Sequence, residues 1–231
     1  MIFALRQPAV LLGLVIGFVV GIAAVTSAQR SLAGRRWRGR RNPLGSSARR
    51  PRRPASTLID PYGVACAVVS GIGWGPRPPA PTGLRKPGPG PLIIALVVHG
   101  LLAAAGIAAY LAAGGHKELL TVPTDVLFLV VHGSPIVSSE TVGAQILLGF
   151  GVVNLGCGLL RLVPIPPLEM GVLVWSRLPR SAGSRRLAYH LLEEPWGTAV
   201  LIVLLLIPLA GEQPLLLKVL SELGDPIVHA L

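Results

Sequence analysis

The chain has 231 residues, of which 52% are hydrophobic and 13% charged, and its mean hydropathy is +0.65. That balance excludes an ordinary soluble domain, in which about 25% of residues are charged. A net charge of +11 would suggest nucleic acid in a soluble protein. Here the arginines fall between apolar runs, where they set membrane topology, and Trp37 is the lone aromatic among them, so no nucleic-acid partner is expected.

The first predicted span is Pro8 to Ala28, an uncharged run of about the ~20 residues needed to cross a bilayer core. Ser27 and Ala28 resemble a signal-peptide cleavage site, but the run exceeds the usual apolar region of roughly 7 to 15 residues. The dense arginines behind it also oppose export. From Arg30 to Arg53 there are ten arginines and no acid, broken by Pro43 and Pro51, which predicts a solvated, irregular loop on the cytoplasmic face. Beside a membrane, arginines 35 to 53 would gain on the order of 1 kcal/mol each from anionic headgroups, making anionic lipid an expected partner.

Residues 58–75 are apolar but interrupted by Asp60, Pro61, Gly63, Gly71 and Gly73, and Arg77, Arg85 and Lys86 follow without an acid. Two consecutive positive loops call for one side, so a re-entrant segment is predicted, with a full crossing as the alternative. Pro91 to Gly115 is the second span, with His99 inside it. The stretch from His116 to Thr141 carries Glu118, Asp125 and Glu140 against one lysine and belongs outside, with an interfacial piece at 126–131. Val142 to Leu160 returns inward and ends at Arg161. The 172–195 loop is again arginine-rich, Trp196 to Ala210 is a short fourth span, and the tail after Glu212 is amphipathic and lies on the surface.

The expected architecture is therefore an all-α membrane protein, a polytopic bundle of about four transmembrane helices plus one re-entrant segment. Its parts are a first helix (1–29), an arginine-rich cytoplasmic loop (30–57), the re-entrant piece (58–75), a two-helix core ending in a proline-rich motif (76–171), a cytoplasmic loop (172–195), and the last helix with its tail (196–231). The expected location is the plasma membrane, multi-pass, with the N-terminus outside. Cys66 and Cys157 both lie in apolar stretches and read as packing residues.

The most specific string runs from Asn154 to Gly171, NLGCGLLRLVPIPPLEMG. Pro164, Pro166 and Pro167 force an extended path, and the carboxylate of Glu169 follows at once. The string resembles the signature of the site-2 protease family of intramembrane zinc metalloproteases, in which a proline-rich turn precedes a Leu-Asp-Gly element whose Asp ligates zinc. Leu168, Glu169 and Gly171 stand at or near those places, with Glu for Asp. NPL at 42–44, IDPYG at 59–63 and GIGWGPRPPAP from Gly71 are similar to further family stretches in the same order. The resemblance covers roughly residues 29–171.

The family's HExxH, which places two histidine ligands on one helical face with a general-base glutamate, is missing. Counting back from NPL puts Thr26, Ser27 and Arg30 at its three functional places, and neither Thr nor Arg is a useful zinc ligand. The resemblance thus implies a pseudoprotease that binds a transmembrane protein partner, with no cofactor expected. Asn154, Pro164, Pro166, Pro167 and Glu169 would be vestigial metal-site or partner-binding residues. Two alternatives stand beside it: a divergent active protease with zinc, whose rebuilt ligands would be Glu169, His190 and Glu193, and a basic membrane anchor. For Glu169 the competing reading is an ion pair with Arg30 or Arg161; for His99, a histidine hydrogen-bonded to a neighbouring helix.

Overall fold

In the computed structural model the described residues are 5, 7–38, 60–76, 88–117, 120, 130, 135–177, 182–192, 196–206, 216, 218–220, 222 and 223. Their regular structure is helical, with no strand among them. The elements are α1 (Pro8–Arg38), α2 (Pro61–Ser70), α3 (Gly90–Ala112), α4 (Pro135–Ser138), α5 (Val142–Leu160), α6 (Glu169–Trp175), α7 (Ala182–Leu192) and α8 (Trp196–Leu206).

Three helices are long and apolar enough to cross a membrane: α1 over Pro8–Leu32, then α3 and α5. At ~1.5 Å rise per residue they reach the ~30 Å of a hydrocarbon core. The expected fourth span corresponds to α8, whose described length is 11 residues, with 207–210 outside the described residues. The interfacial piece expected at 126–131 also lies outside them, apart from buried Val130. In the tail, Leu216 and Leu220 are buried whereas Lys218 and Glu222 are exposed.

The expectation of an irregular loop from Arg30 is corrected, because α1 continues helically to Arg38. No proline occurs before Pro43 to stop it, arginine is a good helix former, and cations at a helix C-terminus complement its dipole.

The middle of the bundle is α5, with α1 and α3 packed against it. Glycines allow the approach. A Cβ at Gly13 would overlap the Ile146 carbonyl, one at Gly17 would lie 2.5 Å from Val153 Cγ1, and one at Gly106 would lie 2.7 Å from Gly151 Cα. In lipid, where tails compete for apolar contact, such close backbone packing is what holds helices together. Away from α5, Leu12, Val15, Ile16, Val19 and Val20 on α1 and Ile93, Val97 and Leu101 on α3 are exposed. An apolar face on helices of this length suits acyl chains.

The segment 60–75 closes on itself. Asp60 caps α2 by accepting from Tyr62 N at 3.0 Å, and Trp74 Nε1 donates to its other oxygen at 3.2 Å. Gly71 ends the helix in the left-handed region, φ +82°, where a side chain would be strained. Gly63 and Trp74 then meet backbone to backbone. The start and the end of the segment thus lie against each other.

Candidate functional site

The C-terminal end of α5 carries the site. Pro164, Pro166 and Pro167 cannot continue a helix, so the chain turns at Arg161 and passes without regular structure to Leu168, where α6 begins. The turn is tied back by Met170 N donating to Arg161 O at 3.3 Å and by Trp175 Nε1 donating to Pro164 O at 2.9 Å. Gly171 and Gly197 both press against it: a Cβ on the first would overlap Ile165, and on the second the Pro166 carbonyl.

This path brings Glu169 onto Arg161. The two side chains are buried, with relative exposures of 6% and 7%, and form a direct ion pair between Oε1 and Nη1. Gln29 joins them from α1, its Nε2 lying 3.4 Å from Glu169 Oε1 and 3.0 Å from Pro91 O at the start of α3. One amide therefore links three helices at the end of the bundle. Of the two arginines considered for Glu169, Arg161 is the partner, while Arg30 is exposed.

The α1 residues differ from the expected set. Thr26 is buried, but Ser27 and Arg30 are exposed. The inward i,i+4 pair is instead Val25, which is buried, and Gln29, which is partly buried, with Thr26 beside them. The cause is helical phase. The buried positions Gly17, Gly21 and Val25 continue to Gln29 at spacings of four, so α1 turns Ser27 and Arg30 outward.

Asn154 is not part of the Glu169 site. It lies two turns deeper on α5, where its Oδ1 is 3.0 Å from His99 Nδ1 and its Nδ2 donates to Phe150 O and Gly17 O at 2.9 and 3.2 Å. His99 is thus hydrogen-bonded to a neighbouring helix. Cys66 and Cys157 are free and buried.

The donor set around Glu169, one guanidinium and one carboxamide, does not fit zinc, which takes thiolate, imidazole or carboxylate. Among the described residues no group of three or more His, Cys, Asp or Glu could hold a metal ion. His190 on α7 has an edge-on ring contact with Tyr189, centroids 5.8 Å apart, and Glu193 lies outside the described residues.

A second polar cluster sits at the opposite end of α3 and α5. Glu140 Oε1 accepts from Tyr110 Oη at 2.7 Å and from His116 N at 3.0 Å, with His116 Nδ1 at 2.9 Å. Gln145 Nε2 donates to Glu140 O at 2.8 Å. Burial opposes the carboxylate's charge, but the hydrogen bonds from Tyr110 and His116 and the attraction of the imidazole outweigh it and hold Glu140 below the usual glutamate range. Sequence reasoning passed over this cluster and over Gln29, because no local spacing links Tyr110 to Glu140 or position 29 to 169.

No protein-family model matches the chain, and neither a curated protein nor a solved structure matches it. Fold and composition define the class, a helical integral membrane protein.

Proposed function

We propose that the chain is a site-2-protease-like membrane protein that has exchanged its metal chemistry for a fixed polar junction and serves to bind or regulate a transmembrane partner. The observation that carries this reading is the buried Arg161–Glu169 pair with Gln29 at the meeting of α1, the proline turn and the start of α3. In the family that the motifs resemble, a carboxylate at this turn and two residues four apart on the first helix would hold the ion. Here the carboxylate is committed to a guanidinium, and the inward pair is Val25 and Gln29, with Thr26 in the general-base place. A permanent cation of the protein stands where an exchangeable one would be, and a buried pair of this kind persists only while both members remain.

In this reading the N-terminus is outside a plasma membrane and the arginine-rich segments are cytoplasmic, as their excess of arginine over acid favours. The arginines of 35–53 contact anionic headgroups, and the helical extension of α1 to Arg38 carries the first of them. The partner is a membrane helix seated against the bundle.

Metal analysis of the purified full chain tests the proposal. The expected content is no stoichiometric zinc in either the native protein or Glu169→Ala. About one tightly held zinc per chain, lost on Glu169→Ala, would overturn it in favour of an active protease.

A further inference from the structure

A short helix on the arginine-rich side is fastened at the depth where the hydrocarbon core ends. α5 is long enough to cross that core and stops at Leu160, so the proline turn that follows marks the boundary. α7 is tied to the turn through α8. A Cβ on Gly197, the second residue of α8, would overlap the Pro166 carbonyl and lie 3.0 Å from the Leu191 carbonyl oxygen near the end of α7. The proline turn, the C-terminal end of α7 and the start of α8 therefore meet at one point. α7 also packs on α6, whose Trp175 donates to Pro164 O in the same turn.

The outward side of α7 is chemically mixed. At ~100° per residue, Tyr189, Arg186 and Leu187 follow one another across an arc of about 160° around the helix. All three are exposed, Leu187 by 50% and Tyr189 by 56%. Gly183, also exposed, falls within the same arc. At the start of α8, Trp196 is 59% exposed as well.

Neither bulk phase suits such a face. Water leaves the phenol ring and the leucine bare, and hydrocarbon strands the guanidinium. The headgroup layer accommodates both, with the arginine head at the phosphates and the aromatic and aliphatic bodies against the first acyl carbons. Charge then selects among headgroups. Within 172–195, Arg177, Arg180, Arg185 and Arg186 stand against Glu193 and Glu194, an excess of positive charge. A zwitterionic headgroup brings its own cation to that excess, whereas an anionic one brings net charge of the opposite sign.

We infer that α7 lies in the headgroup layer on the arginine-rich side and binds anionic phospholipid through the face that carries Arg186. This surface is separate from the arginines of 35–53. The inference goes beyond the pseudoprotease reading and does not depend on it, since zinc in the chain would leave the position of α7 unchanged.

The test places a fluorophore on Gly183→Cys of the full chain. A Cβ there meets nothing within 4 Å, and the native Cys66 and Cys157 are buried, so one site is labelled on the face in question. The protein is held in nanodiscs of mixed phosphatidylcholine and phosphatidylglycerol, one of which carries a nitroxide high on its acyl chain. Both leaflets then have the same composition, and the result is independent of orientation. Nitroxide on phosphatidylglycerol is expected to quench at least ~twofold more than the same fraction on phosphatidylcholine, because an anionic lipid gathers at a cationic face. Arg186→Gln should roughly halve that excess, and Arg186→Lys, which keeps the charge, should retain it. Absence of quenching by either lipid would put α7 in water or against a protein and overturn the inference. Equal quenching by the two lipids, an excess unchanged in Arg186→Gln, or a lysine variant that behaves as the glutamine one would each overturn it too.

Discussion

At the scale of single residues, Arg161 and Glu169 are coupled so tightly that neither has an independent value. Removing one strands the other's charge in a low-dielectric interior, whereas replacing both by apolar residues removes the desolvation cost along with the attraction. Arg161→Ala and Glu169→Ala should therefore each destabilise the protein by ~3–5 kcal/mol, while Arg161→Met with Glu169→Leu should come close to native stability. Unfolding of the four proteins in one detergent checks this, and additive losses in the double variant would show that the pair does not act as a unit. Much of this junction was readable beforehand. The prolines fixed where α5 must end, and a lone carboxylate after them needed a cation. Which arginine supplied it was not readable, since Arg30 on α1 and Arg161 at the end of α5 both stood near the turn, and a shift of one position along α1, from Gln29 to Arg30, separates the inward face from the exposed one.

At the scale of elements, α5 is held by backbone proximity rather than by interlocking side chains. Gly13 and Gly17 lie where α1 crosses α5, whereas Gly100 on α3 has open space within 4 Å of a Cβ. Gly17→Leu should consequently cost at least ~1–3 kcal/mol, the range for overpacking, and more if the helices separate, while Gly100→Leu should be nearly neutral. Thermal unfolding of the two variants side by side separates the effects, and equal losses would contradict the packing described. The apolar runs and their breakers located α3, α5 and the start of α1 to within a few residues, because length and charge decide a membrane span. The extension of α1 was missed for the same reason. Arginines were read as solvated loop, yet arginine is compatible with helix, and the helix runs through Gly34 to Arg38 with no proline to stop it. The closure of 60–75 depended on a contact from Asp60 to Trp74, which the spacing of the segment allowed but did not dictate.

At the scale of the whole molecule, the arginine bias and the helix order make one claim about orientation. Arg30 to Arg53, Arg77 to Lys86 and Arg177 to Arg186 all fall on one side of the bilayer if 58–75 re-enters, and Lys117 with Glu140 then falls on the other. The two polar clusters divide in the same way, with Glu169 at the arginine-rich end and Glu140 at the opposite one. Because Cys66 and Cys157 are buried, the native protein should be silent to a membrane-impermeant thiol reagent, and single introduced cysteines can be read directly. Lys117 and Arg186 are exposed positions suited to the purpose. In intact cells Lys117→Cys should label at once, and Arg186→Cys only after permeabilisation. The reverse pattern would invert the orientation. Labelling of both without permeabilisation would place an even number of crossings between Lys117 and Arg186 where the fold has one, α5, and would require the chain between α5 and α7 to return through the membrane.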